Sequence, residues 1–314
     1  MTTQYIDYLG LQEQSTPHIK GGKDVTLQEK IKTIPSPKVI YERLDKYVTG
    51  QEQAKKSLAV MLYQHYVRFY KTNSKYNNAC LLIGSSGCGK TALMQAIEKI
   101  TKLPCVYMSA ANMVEHGYRG GVSIDNILRQ LEESDCANEQ WKEHAIILID
   151  EIDKVKNNKD DYYSLGTVGV QKDLLGFIDG TGVFWESDCE YRNYDTSKFL
   201  FIFAGAFQEL TQYSYFADEL DKNALIKYGL LPELVGRIGQ IIPLQQLTVP
   251  NLREMVRKAI NEYDAFLTIS QQEKQVYEEL IMLELTKNDG SVSLGARSIS
   301  SVLQRLYEEK IFNI

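Results

Sequence analysis

Five short apolar runs punctuate the chain: ACLLI (79–83), PCVYMS (104–109), AIILI (145–149), FLFIFA (199–204) and QIIPL (240–244). Stretches with helical spacing separate them, so the pattern predicts an α/β fold, a parallel sheet buried on both faces by helices. Ahead of the first run, Val39 to Tyr70 keeps a helical rhythm interrupted at Gly50, with Leu58, Met61, Leu62 and His65 on one face. After Leu244 the strand-like runs stop. Thr248 stands as a helix cap before Leu252, Met255, Val256, Ala259 and Ile260, and Ile299, Val302, Leu303 and Leu306 form a later stripe. The expected organisation is a polar arm over 1–35, marked by Gly21-Gly22, Pro35 and Pro37, then a large α/β domain over 36–244 and a small helical domain over 245–314.

Composition narrows the function classes. The 314 residues are 44% hydrophobic and 24% charged, enough to bury a sizeable core. Lys+Arg number 35 against Asp+Glu 41, a formal net charge of −6, which argues against nucleic acid as the main partner. The first residues lack the basic and apolar regions of a secretion signal, and no apolar run reaches the roughly 18 residues of a membrane span. Cys80, Cys88, Cys105, Cys136 and Cys189 form no CxxC pair, and their odd number fits a reducing cytoplasm better than a disulfide framework.

The sharpest chemical signal is Gly84-Ser85-Ser86-Gly87-Cys88-Gly89-Lys90-Thr91, a GxxxxGK[ST] pattern directly after one apolar run and directly before the helical TALMQAIEKI. The pattern alone arises by chance in about one such chain in a hundred, and its strand and helix context sets aside a mere glycine-rich turn. Glycines let successive N–H groups wrap a phosphate, so Ser86 through Ala92 are expected to line the cradle, with Lys90 on the β- and γ-phosphates of ATP and Thr91 on Mg²⁺. Cys88 is either a thiol acidified by the helix N-terminus or a small tolerated side chain, and the second reading is preferred.

Asp150-Glu151 closes the run AIILI, at the edge where a parallel sheet delivers ligand-binding side chains. A solvated strand end explains the pair taken alone. With the phosphate loop upstream, Asp150 is expected to hold the Mg²⁺ shell and Glu151 to orient and deprotonate the attacking water.

Beyond these motifs, LDKYVTGQEQAKK (44–56), IDEIDKV (149–155), DTSKFLFIFAGAF (195–207) and YGLLPELVGRIGQ (228–240) together resemble the ClpX and HslU unfoldases of the AAA+ type over residues 36–314. The resemblance implies a P-loop AAA+ domain with a helical lid, and a homo-oligomeric, usually hexameric ring with nucleotide at each subunit boundary. It places Val48 and Thr49 beside adenine. Arg237 matches the arginine finger that enters a neighbour's site, and Arg297 the sensor arginine that reports nucleotide state to the lid, although either arginine taken alone reads better as a surface salt bridge. His116-Gly117-Tyr118-Arg119-Gly120 is similar to the glycine-flanked pore loop whose aromatic residue grips a polypeptide, although Arg119 replaces an aliphatic residue. Tyr162-Tyr163, within a stretch from about Lys156 to Thr167, lies where the family places a second pore loop, and an exposed linker is a nearly equal reading.

Departures are as informative. No cysteine precedes Cys80, so the ClpX zinc module is not expected. The stretch between Phe207 and Lys227 carries no Ile-Gly-Phe tip for docking a peptidase, and Leu175-Gly176-Phe177 is a decoy within a helix. The large domain inserted in HslU is not expected either. The lid is expected to be either minimal or completed by a partner, a partner protein is the candidate to replace the missing recognition and docking modules, and the sensor residue of the fourth strand stays unassigned in FIFAGAF. The leading expectation is an ATP-driven unfoldase or remodeller without a tethered peptidase, and the alternative is a nucleotide-gated assembly or regulatory ATPase that recruits a partner without threading.

Overall fold

The computed structural model describes residues 33–70, 78–115, 123–134, 139–157, 164–180, 183–186, 191–211, 221–264, 269–286 and 296–312. Helix α1 (Pro37–Tyr47) starts at Ser36, whose hydroxyl accepts the Val39 N–H, with proline in the first turn where no N–H is needed. Helix α2 (Glu52–Arg68) follows a break in which Gly50 (φ +72°) and Gln51 (φ +60°) both enter the left-handed region. Gly50 is required there twice over, because a Cβ would also stand 3.1 Å from the Asn251 amide.

The apolar runs become strands β1 (Ala79–Ile83), β2 (Cys105–Ser109) and β3 (Ile146–Asp150). After them come a short hairpin, β4 (Val183–Glu186) with β5 (Tyr191–Tyr194), then β6 (Leu200–Gly205) and β7 (Gln240–Pro243). The main sheet runs β2-β3-β6-β1-β7 and every pairing in it is parallel, whereas β4 and β5 pair antiparallel in a separate ribbon. The hairpin is an addition to the sequence reading, which placed no strand there.

Period-two alternation splits the sheet residues between two cores. Leu81, Ile147, Ile149, Phe201 and Phe203 pack on one face with Leu128 of α4 (Asp125–Glu133), Leu174 and Phe177 of α5 (Ser164–Asp179) and Leu234 of α8 (Pro232–Arg237). Cys80, Leu82, Ile146, Leu148 and Ile202 pack on the other with Leu44, Leu58 and Leu62 and with Leu93 and Ile97 of α3 (Lys90–Ile100). Burying each such side chain contributes about 1.5–3 kcal/mol, and because the central strands bury both faces they read as nearly continuous apolar runs. Between β6 and α8 lie the short helices α6 (Gln208–Thr211) and α7 (Lys222–Tyr228). Beyond β7, Leu252, Val256 and Ile260 of α9 (Val249–Asp264) gather Ile281 and Leu285 of α10 (Gln271–Leu285) and Leu303 and Tyr307 of α11 (Arg297–Phe312) into a third core with no strand in it.

Candidate nucleotide site

The chain leaves β1 at its carboxyl edge and turns through Gly84–Gly89 into α3. Gly87 (φ +80°) and Gly89 (φ +109°) hold the backbone in conformations that L side chains resist, and a Cβ on Gly89 would meet open space. The loop is therefore an open concavity walled by backbone, at the N-terminus of an 11-residue helix whose first N–H groups have no partner within the helix. Lys90 is 9% exposed, and its ammonium donates to the Gly84 carbonyl at 2.6 Å and the Ser85 carbonyl at 2.9 Å. A cation held by its own loop carbonyls is poised to exchange them for phosphate oxygens, which carry full charge. Cys88 is buried, and burial pushes its thiol up despite the opposing Lys90 charge.

Asp150 ends β3 and is 7% exposed. The Thr91 hydroxyl and the Tyr107 phenol each donate to its Oδ2 at 3.0 Å, and the Glu151 N–H donates to its Oδ1 at 2.8 Å. Thr91 and Asp150 are hard oxygen donors side by side, the set that Mg²⁺ prefers, so these residues fit the ion. Glu151 itself adopts φ +59°, a left-handed conformation that costs a non-glycine residue on the order of 1–3 kcal/mol. The Ser109 hydroxyl donates to its Oε2 at 2.6 Å. Ser109 pairs with Asp150 across the β2–β3 ladder and Tyr107 with Leu148, so alternate residues on one face of β2 each steady one of the two carboxylates. The sequence reading missed both, and the signal was the hydroxyl pair at i and i+2 on the strand next to AIILID. At the end of β6 no polar side chain stands in the FIFAGAF run. Instead Asp153, 3% exposed, accepts the Ala206 N–H at 3.1 Å.

The adenine candidates lie nearby. Val48 is buried among the apolar residues around α1 and α2, and Thr49 accepts a hydrogen bond from Lys258 of α9 at 3.0 Å. Two residues on, Gln51 ties this segment to the Cys88 carbonyl of the phosphate loop at 2.8 Å.

The family model of the AAA domain (Cdc48 subfamily) matches residues 76–241, a span that opens just before β1 and closes within β7. The chain belongs to the AAA family. The ATP-dependent Clp protease ATP-binding subunit ClpX 2 of Wolinella succinogenes is 28% identical to it over 312 aligned residues, 90% of this chain and 78% of the relative. The ATP-dependent Clp protease ATP-binding subunit ClpX of Treponema denticola is likewise 28% identical, over 94% of this chain and 81% of its own length. This is a ClpX-like AAA+ ATPase, and the five strands of its main parallel sheet coincide with the apolar runs of its sequence.

Among the remaining candidates of this AAA+ ATPase, Arg237 has its side chain described. Arg237 ends α8, three residues before β7, and Gln240 pairs with Cys80 at the start of β1. It thus sits at the amino edge of the sheet, whereas the phosphate loop leaves the carboxyl edge about 16 Å away at about 3.3 Å per residue. Its guanidinium is half exposed and grips both carboxylate oxygens of Asp179, which raises its pKa further. Arg297 opens α11, with its side chain outside what is described. Gly117, Tyr118, Arg119 and Gly120, and Tyr162 and Tyr163, lie outside the described residues. Among the described helices, none is long and apolar enough to cross a membrane.

Proposed function

We propose that this AAA+ ATPase assembles into a hexameric ring, binds ATP with Mg²⁺ at each subunit boundary and uses the hydrolysis to remodel polypeptides through an axial pore. The observation that carries the ring is the position of Arg237: it lies across the sheet from its own phosphate loop, and an arginine there serves catalysis by reaching a neighbour's site. The ClpX-like relatives, named as ATP-binding subunits of an ATP-dependent protease, support the remodelling half.

Each residue then has a task. Lys90 and the N–H groups from Ser86 to Ala92 hold the phosphates, Val48 and Thr49 flank the base, and Thr91 and Asp150 hold Mg²⁺, which when bound neutralises charge on the β- and γ-phosphate oxygens. Glu151, steadied by Ser109, takes the proton of the attacking water. Arg237 releases Asp179 and stabilises the transferring phosphoryl group in the adjacent subunit, and Arg297 links the nucleotide to a helical lid over 245–314. Tyr118 between Gly117 and Gly120, with Arg119 beside it, meets the polypeptide. No Ile-Gly-Phe tip lies between Phe207 and Lys227, so the work proceeds without a tethered peptidase, in a cytoplasm that keeps the thiols reduced.

The test is a substrate trap: Glu151→Gln binds ATP without turnover and should retain polypeptides, while Tyr118→Ala should abolish unfolding and spare basal hydrolysis. Rings of Glu151→Gln that hold no polypeptide, together with unfolding that survives Tyr118→Ala, would reject threading. A second reading, a nucleotide-gated assembly switch, is favoured by the grip of Asp179 on Arg237, since assembly would have to break it. Sustained hydrolysis stimulated by unfolded polypeptide selects the motor, and slow, unstimulated hydrolysis the switch.

A further inference from the structure

Gln51 is buried at 7% exposure where three segments meet: the base-flanking Val48–Thr49, the phosphate loop, and the connector that runs from β7 to α9. Its side-chain nitrogen donates to the Cys88 carbonyl at 2.8 Å and to the Gln245 carbonyl at 2.7 Å, and its oxygen accepts the Gln245 N–H at 3.0 Å. Two acceptors and one donor face the amide, so only one orientation of the group satisfies them. The left-handed φ of +60° at Gln51 is what turns the side chain back from the start of α2.

Each bond has a consequence. In a trans peptide the C=O and N–H point in opposite directions. Holding the Cys88 oxygen toward Gln51 therefore aims the Gly89 N–H the other way, within the stretch whose amides wrap phosphate. The paired bonds to Gln245 fasten the connector just ahead of α9, and Lys258 on Thr49 and Asn251 against Gly50 seat α9 itself on the same segment. One amide nitrogen thus bonds the loop and the connector together.

We propose that Gln51 is a positioning residue that couples the phosphate loop to the interdomain connector: it presets an anion-binding N–H while the helical segment is seated, and bound nucleotide in turn holds that segment down. The coupling is reciprocal, as any linkage between two equilibria is. It rests on the reading of residues 84–91 as the phosphate loop, and Lys90→Ala tests that reading separately.

The experiment compares the full chain with Gln51→Met, which keeps length and packing and removes all three bonds, and Gln51→Glu, which sets a carboxylate against two carbonyls. Readouts are the affinity of a fluorescent ADP analogue, the split between KM and kcat for ATP, the melting temperature of the nucleotide-free protein, and amide exchange at Gln245 with and without ADP. We expect Gln51→Met to weaken nucleotide about tenfold, the worth of one to two hydrogen bonds, mainly through KM, and Gln51→Glu to weaken it more. ADP should slow exchange at Gln245 in the wild type and leave it unchanged in Gln51→Met. Wild-type affinity in Gln51→Met overturns the proposal, and so does a lowered melting temperature with ADP protection at Gln245 intact, which would leave Gln51 a purely structural residue. If Gln51→Met does not fold, Gln51→Asn, with its donors drawn back by one methylene, carries the same comparison. Undiminished nucleotide affinity in Lys90→Ala would instead sink the phosphate-loop reading beneath it.

Discussion

Three donors converge on the Asp150 carboxylate, and the phenol of Tyr107 is the one that no motif announced. It fixes the acid from the neighbouring strand, so Tyr107→Phe should lower kcat by roughly threefold to tenfold, the effect of about one hydrogen bond. The loss should be partly restored by raised Mg²⁺, and a titration of ATPase activity against Mg²⁺ checks it. A second residue-scale prediction concerns pH. Burial lowers His65 to about 3, and burial with the Lys198 and Arg68 charges lowers His144 to about 4, while Asp195 opposes the latter. His65 Nε2 lies 2.9 Å from the His144 carbonyl oxygen, and Phe69 stacks on the His144 ring at 3.8 Å. Both rings stay neutral in the fold, whereas the unfolded chain takes up protons below about pH 6.5. Stability is thus whole above that pH and is lost as pH falls toward 4 and then 3, by about 2–4 kcal/mol between pH 6.5 and 5. Urea unfolding at the two pH values measures it, and His65→Leu with His144→Phe should flatten the difference.

At the scale of elements, the central strands β1, β3 and β6 were legible because they are buried on both faces and write nearly unbroken apolar runs, and the edge strands β2 and β7, more exposed, through shorter ones. The β4–β5 hairpin was not: VFWE and YRNY mix charged, amide and aromatic residues in a two-stranded ribbon outside the main sheet. The phosphate loop and Asp150-Glu151 were legible because contiguous residues supply them. Gln51, Tyr107 and Ser109 were not, since their partners lie 37, 43 and 42 positions away in sequence and only register brings them together. Gly229 illustrates how tightly the elements behind the site are joined. It ends α7 at φ +119°, and its carbonyl accepts the Asn157 N–H at 2.9 Å and the Gln171 amide at 3.2 Å. A Cβ there would lie 2.9 Å from the Asn157 carbonyl oxygen. Gly229→Ala should therefore destabilise the fold by about 1–3 kcal/mol, read as a lowered urea midpoint.

For the whole molecule, sheet topology decides what one copy can do alone. Parallel pairing of β7 with β1 sends the phosphate loop to one edge and Arg237 to the other, so in the proposed ring Arg237 would serve the site of a neighbouring copy. The hydrogen bond from Lys258 to Thr49, with the Asn251 amide close beside Gly50, joins α9 to the segment proposed to flank the base. The central claim, a catalytic pocket shared between subunits, is tested by mixing two variants that should each be inactive, Lys90→Ala and Arg237→Ala. In mixed rings an Arg237→Ala subunit supplies an intact phosphate loop and its Lys90→Ala neighbour an intact finger. Random equimolar assembly places such pairs at about a quarter of the boundaries, so ATPase activity should recover to roughly that fraction of the wild-type rate. Activity that stays at the level of the separate variants, or an Arg237→Ala protein that hydrolyses ATP like the wild type, would contradict the account.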